Sequence, residues 1–200
     1  MKRSLLNVTL VLLLAAPVFC QNTLPSNGAT AVFEAALASG SRLHVHLRDG
    51  DFRIVGTDAE KVSIHVEGKN AALAKHIKVD LKRAQGGAEL RLSHVPKNEL
   101  LVTIEVPRST SLSACMRGGD LSVEDVTGDK DLKLTGGDLA VKVGKNDDYA
   151  QVDLSVRFGD VNGNQFGDPK GWIGNSVHKD GTGKYHLHAH VTAGDLTLKS

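Results

Sequence analysis

The stretch from Met116 to Val143 reads MRGGDLSVEDVTGDKDLKLTGGDLAVKV, and its GGDLSV returns 18 positions later as GGDLAV. Each copy couples a Gly-Asp corner to an alternation of apolar and polar residues, the period of a strand with one buried face. Gly-Asp followed by apolar, polar, apolar occurs at Gly50 (GDFRI), Gly119 (GDLSV), Gly137 (GDLAV) and Gly194 (GDLTL), with a looser case at Gly159 (GDVNG) and a variant at Gly128 (GDKDLKL). The spacing is 18 from Gly119 to Gly137, 22 from there to Gly159 and 35 from there to Gly194, so later turns carry insertions. A unit of about two strands cannot bury its apolar face alone, and stacking on the next unit completes it.

The same period of two runs outward from this stretch. In SRLHVHLRDGDFRIVG, Leu43, Val45 and Leu47 take one face and His44, His46 and Arg48 the other. KVSIHVEG, AELRLSHV, LLVTIEVP, SLSACM, QVDLSV, KYHLHAHV and DLTLKS follow the same scheme. Only NAALAKHIK reads as helical, since Ala71 to Ala74 contain no β-branched residue, and one short helix is expected near residues 70–76. The expectation is an all-β chain, a β-solenoid or β-helix-like stack of short strands with Gly-Asp corners. An aromatic content of 4% suits such a stack of small aliphatic side chains.

The N-terminus is separate. Lys2 and Arg3 precede an apolar run from Leu5 to Phe19, a secretory signal pattern too short to span a bilayer comfortably. Residues 1–20 are assigned to the signal peptide, 21–30 to a flexible tether, and 31–200 to a single β domain. That domain is less regular over 31–106 and carries the Gly-Asp repeats over 107–200. Acylation of Cys20 as a lipoprotein is the less favoured outcome, because Phe19 is a poor fit before the cysteine. Removing Lys2 and Arg3 changes the net charge from +1 to −1, and charges of both signs alternate along the rest, so a nucleic-acid partner is not expected. No transmembrane segment is expected after signal cleavage. Of the 2 cysteines only Cys115 would remain, which leaves no internal disulfide on an oxidising route.

The corner DGDFRIVGTDAEKVSIHVEG, the phrase VPRSTSLSACMRGGDLSVEDVTGDKDLKLTGGDLAVKV and the C-terminal GWIGNSVHKDGTGKYHLHAHVTAGDLTL together resemble the bacterial DUF4097 family of adhesin-like domains. The resemblance covers most of residues 31–200. It implies an exported, β-rich, solenoid-like fold, with no catalytic residues to carry over and no cofactor. Cys115 departs from the polar or charged residue that family members often carry after the SLSA-type strand.

Several residue sets invite a functional reading. Asp120, Asp138, Asp160 and Asp195 would align if successive turns stack, and a column of carboxylates can hold Ca²⁺. The preferred alternative is corner chemistry, with glycine supplying positive φ and aspartate accepting a backbone hydrogen bond. His186, His188 and His190 share one strand face, and His44 and His46 on another strand could supply a third Zn²⁺ ligand; solvated histidines on a wet face are the preferred alternative. Cys115 lies with Ser113 opposite Leu112, Ala114 and Met116, and His94 is the histidine that could approach it. Trp172, near Phe166 in the longest insertion, suggests either a carbohydrate platform or, preferably, a cap on the core. Asp147 or Asp148 could join another carboxylate in a glycosidase pair only if geometry allowed. Ser122, Glu124, Lys133 and Lys142 point outward from the repeat and form a possible binding face.

These features predict a non-enzymatic, exported, adhesin-like domain, periplasmic or at the cell surface, in an envelope-binding or scaffold role. Its partner would be a polysaccharide or protein of the envelope or surface. The alternative is a protein that binds or hydrolyses envelope polysaccharide.

Overall fold

The computed structural model describes residues 30–69, 71–96, 100–163, 165–171 and 174–200. Its strands are β1 (Thr30–Ala36), β2 (Arg42–Asp49), β3 (Asp51–Thr57), β4 (Lys61–Gly68), β5 (Lys78–Ala84), β6 (Gly87–Ser93), β7 (Leu100–Pro107) and β8 (Ser111–Gly118). They continue with β9 (Leu121–Glu124), β10 (Lys130–Gly136), β11 (Leu139–Lys142), β12 (Tyr149–Phe158), β13 (Val161–Asn162), β14 (Asn175–Asp180), β15 (Tyr185–Ala193) and β16 (Leu196–Lys199).

The fold is all-β, with two eight-stranded sheets. Sheet A runs β1-β4-β7-β3-β9-β11-β16-β13, and sheet B runs β14-β12-β15-β10-β8-β2-β6-β5. Each Gly-Asp corner carries the chain from sheet B into sheet A, as in β8 to β9 and β10 to β11, so that one bent strand pair forms a rung. Rungs stack parallel and in register. Leu112 pairs with Lys130 and Ala114 with Leu132 in sheet B, while Leu121 pairs with Leu139 and Val123 with Val141 in sheet A. The alternation thereby turns Leu43, Val45, Ile54, Leu132, Leu139 and Val191 inward, all at most 1% exposed. Removing each such side chain from water contributes roughly 1.5–3 kcal/mol.

Stacking does not follow the chain. The β2/β3 rung lies between β6/β7 and β8/β9, and the β15/β16 rung lies between β10/β11 and β12/β13. A simple solenoid would add rungs in chain order, so the expected β-solenoid is corrected to two sheets whose terminal rungs are interleaved. The long spacing before Gly194 arises because the chain leaves β13, forms the antiparallel edge strand β14 on β12, and returns as β15.

Two further expectations change. Residues 71–76 form a 3₁₀ turn rather than an α-helix, and no α-helix occurs among the described residues. Six residues are too few to repay helix nucleation without tertiary support, and here the turn serves to bring Ala74, with Ile77 just after it, onto the core. Gly128 does not belong to the Gly-Asp edge. It sits on the opposite, return edge between β9 and β10, where a Cβ would lie 2.2 Å from the Thr110 carbonyl oxygen.

Both ends of the stack are closed. Beside the 3₁₀ turn, β5 pairs antiparallel with β6 and carries exposed Lys78, Asp80 and Lys82 at the sheet edge, charges that discourage edge-to-edge pairing. At the other end Phe166 is buried edge-on against Tyr149, with ring centroids 5.5 Å apart.

Candidate functional site

The Gly-Asp corners do stand in a column, in the spatial order Asp120, Asp138, Asp195, Asp160. Each carboxylate accepts the backbone N–H of the next aspartate: Asp138 to Asp120 at 3.3 Å, Asp195 to Asp138 at 3.0 Å and Asp160 to Asp195 at 2.9 Å. Asp160 in turn accepts from the Asn175 amide at 2.8 Å. The glycines form a parallel column. Gly119 and Gly137 have φ of +97° and +112°, and a Cβ on either would fall 2.1 Å from the carbonyl oxygen of Gly50 or Gly119 respectively. These positions therefore require glycine twice over, for conformation and for approach. Gly159 and Gly194 repeat the arrangement, each with a carbonyl oxygen 2.0 Å from the Cβ position.

The opposite edge is built from side chains. Lys130 points between the sheets, 2% exposed, and donates to the Gly128 carbonyl at 2.9 Å. Its ammonium lies 5.4 Å from the centre of the Tyr149 ring. Burial pushes its pKa down to about 8, against the opposing fields of Asp129 and Asp148. Burial also raises the Tyr149 phenol. Asp148 accepts the Lys145 N–H at 3.0 Å, and Asp147 shares its short 3₁₀ turn.

The surface with the densest chemistry is the outer face of sheet B. His44 and His46 on β2, His178 on β14 and His186, His188 and His190 on β15 all point to it, 6 of the chain's 9 histidines. Carboxylates alternate with them across the strands. His46 meets Glu89 at 3.1 Å, His186 meets Asp129 at 3.4 Å, and His178 bonds Asp153 and lies 3.4 Å from Asp180. His188 stands in register between Asp131 and Asp153. The Ser155 hydroxyl bonds His190 at 2.8 Å. The bond to Asp153 and the two nearby carboxylate charges raise the pKa of His178, while the bond from Arg91 lowers that of Glu89.

The expected convergence of His44 and His46 with the β15 histidines does not occur. Strands β8 and β10 lie between β2 and β15, a separation of three strand spacings or about 14 Å. No group of three or more His, Cys, Asp or Glu placed to hold a metal is found among the described residues. Cys115 is half-buried on the same face, in register with His46 and Lys133, so the histidine across from it is His46 and not His94. Ser122, Glu124 and Lys142 lie on sheet A while Lys133 lies on sheet B, which divides that expected face in two. Phe166 is in the core, and Trp172 lies outside the described residues.

Three shallow cavities open on the sheet B face and share their walls. One of about 330 Å³ is lined by Arg42, His44, His46 and Glu89. A second, about 730 Å³, continues from His46 past Arg48 and Arg91 to Lys78 and Asp80. A third, about 350 Å³, continues from Arg42 and His44 past Ser113 to Asp129, Asp131, His186 and His188. Together they make a groove crossing β5, β6, β2, β8, β10 and β15, which at five strand spacings is about 24 Å long. Within it Oδ1 of Asp131 is shielded from solvent and has no hydrogen-bond partner. The groove was not legible beforehand, because it depends on β15 being interleaved next to β10 and on β5 and β6 folding back beside β2.

A two-sheet all-β domain with a stacked Gly-Asp edge and one polar, grooved face is thus the class the geometry defines. Its fold is shared with a solved structure called a "putative cell adhesion protein" from Clostridium sporogenes ATCC 15579, at 12% identity and a TM-score of 0.51, over 86% of this chain and 99% of that one. A "putative adhesin" from Parabacteroides distasonis ATCC 8503 aligns at 11% identity and a TM-score of 0.30, over 85% of this chain and 69% of that one. No family model and no curated protein matches the chain. No helix among the described residues is long and apolar enough to cross a membrane.

Proposed function

We propose that this is an exported, non-enzymatic, adhesin-like domain of the cell envelope that binds its partner through the outer face of sheet B. The observation that carries the proposal is the continuous groove on that face. The rungs beneath it are held by backbone pairing and buried aliphatic side chains, so the scaffold leaves the outward residues free to serve recognition. The fold shared with a structure named for cell adhesion supports the role, and the apolar run of residues 5–19 supports export. Within this reading the histidines and carboxylates are contact groups, and the Gly-Asp column is structural.

The test is adhesion of beads carrying the full chain to intact bacterial cells and to isolated cell-wall polymer. Ser113→Trp fills the middle of the groove between His44 and Asp131, its register neighbours on either side. Thr103→Trp places the same bulk on sheet A, beside Arg53 and His65. Adhesion lost in the first variant and kept in the second, with both melting like the parent, is expected. Equal adhesion by all three proteins would end the assignment to this face. Shortening of the polymer during incubation would instead favour a polysaccharide-hydrolysing role.

A further inference from the structure

We infer that the return edge carries a second binding site, a cleft that takes one or two sugar units of a neutral glycan. It stands apart from the sheet B face and does not depend on the role proposed for that face. A cavity of about 400 Å³ opens where β7, β9 and β11 of sheet A hand the chain back to β8, β10 and β12 of sheet B. This lies within the roughly 300–1,000 Å³ usual for small-molecule sites. Its floor is apolar and partly aromatic: Val126 and Val143 are buried, and Tyr149 and Tyr185 pair in register on β12 and β15. Its rim is polar and open to solvent, formed by Arg108, Asp125, Lys142 and Asp148. Buried Lys130 does not join the rim; its ammonium is engaged by the Gly128 carbonyl and the Tyr149 ring.

The rim groups are held where they stand. Asp125 has a left-handed backbone, φ +55°, a conformation uncommon for a residue with a side chain. Its carbonyl oxygen lies 2.1 Å from the Cβ position of Gly56 and accepts from Arg108 Nη1 at 3.4 Å, while its carboxylate meets the Lys142 ammonium at 3.1 Å. The Asp148 backbone in turn lies 2.2 Å from the Cβ position of Gly183, so a side chain there would push it away. Neither Gly56 nor Gly183 belongs to a Gly-Asp corner, and each leaves room for one rim aspartate. Backbone outliers gather at binding sites, and groups fixed in advance lose little freedom when a ligand arrives.

The lining selects the ligand. Arg108 and Lys142 offer donors beside the acceptors Asp125 and Asp148, and the pair formed by Asp125 and Lys142 leaves lone pairs and protons to spare. An anion would meet the carboxylates and a cation the basic groups, whereas hydroxyls both donate and accept and so suit both kinds. The C–H face of a pyranose ring packs on an aromatic ring. Tyr185 presents such a face outward, since the exposed Lys184 ammonium lies 5.4 Å from its ring centre. A molecule that is apolar on its faces and hydroxylated at its edges is a sugar, and the compact cavity suits one or two units rather than an extended chain.

Saturation-transfer NMR and calorimetry on the full chain test this with maltose, cellobiose and N,N′-diacetylchitobiose. Glucuronate, putrescine and glycylglycine supply an anion, a cation and a zwitterion for comparison. At least one disaccharide should bind with a Kd of about 1 mM or tighter, and the charged probes should not. Asp125→Gly removes the carboxylate and suits the left-handed backbone, and Tyr185→Leu removes the ring while keeping the floor apolar. Each should melt like the parent and weaken that sugar about tenfold or more. Ser113→Trp, on the sheet B face, should leave sugar binding unchanged. Failure of every disaccharide to bind, or binding that survives both cleft variants, would overturn the inference. Tighter binding of any charged probe would overturn the assignment to a neutral sugar. If no sugar binds while Ser113→Trp abolishes cell adhesion, this inference fails and the sheet B reading stands. If a sugar binds in the cleft and cell adhesion ignores Ser113→Trp, the failure lies with the sheet B reading.

Discussion

The two edges of the rung stack solve one problem in different ways. On the Gly-Asp edge the corners at Gly119, Gly137 and Gly194 are alike: the glycine meets the carbonyl of the rung on one side, and the aspartate after it accepts an N–H from the rung on the other. On the return edge no two turns match. Residues 125–129 pass Lys130 under Tyr149, residues 143–148 wind into a 3₁₀ turn, and the longest return detours through β14. The first edge is set by backbone geometry and repeats, while the second is set by side chains and tolerates insertions.

The contrast can be tested from its strongest point downwards. Gly137→Ala should destabilise by about 3 kcal/mol or more, adding the strain of its φ to the clash with the Gly119 carbonyl. For a domain of this size that lowers the melting temperature by roughly 6–12 °C. Gly40→Ala is the control, since Gly40 also has a positive φ of +75° but no atom within 4 Å of its Cβ position. It should cost only about 1 kcal/mol. Equal losses in thermal melts would remove the close-approach argument.

Lys130 tests the return edge. Its folded pKa of about 8 lies below the ordinary 10.5, so the unfolded chain binds more protons between these values and stability rises with pH across that window. The rise from pH 8 to pH 10 should be on the order of 2 kcal/mol. Above that range the raised pKa of Tyr149 opposes it. Lys130→Met should be more stable than the parent at pH 7, with the gap closing towards pH 10 in urea titrations. A gap that stays constant with pH would show that burial of the charge is not its cause.

Asp138 tests the brace. Asp138→Ala loses the bond from the Asp195 N–H and should cost about 1 kcal/mol, whereas Asp138→Asn keeps an accepting oxygen and should cost little. Melting curves in calcium and in chelator should superimpose for the parent. A calcium-dependent shift that the asparagine variant abolishes would instead mark the column as an ion site. The smallest effect belongs to the exposed face. The raised pKa of His178 gives stability present below the ordinary histidine pKa of about 6.5 and lost as pH rises through the folded value. His178→Gln should therefore be less stable than the parent in acid and converge with it once the pH has passed the raised folded value.

What could be read from the chain follows the same division. GGDLSV and GGDLAV identified neighbouring rungs because one period-two strand, one corner and one return separate them, and the pairing of Leu121 with Leu139 follows. Inward and outward residues of β2, β8 and β15 were legible for the same reason. The strand order was not. Nothing in DLTLKS shows that β16 pairs with β11 on one side and β13 on the other. Gly128 misled because a Gly-Asp dipeptide carries no label for the edge it occupies. The histidines could be assigned to an outer face, but their separation across β8 and β10, and the groove that joins them to Arg42 and Arg91, exist only once non-local pairing is known. His178 was overlooked because β14 is a short edge strand whose alternation spans 6 residues.

The interleaved rungs also bear on how the chain is made. During synthesis β12 emerges before β15, yet in sheet B β15 pairs on one side with β10 and on the other with β12. Until residues 185–199 have been made, the β12/β13 rung lacks the strands it pairs with in the parallel stack. The first rungs can assemble early, while closure must wait for the last. Because such long-range pairing is slow and exposes apolar strand faces meanwhile, a chain interrupted near residue 180 would present unpaired edges to proteases and chaperones. Completion of sheet B thus waits on β15.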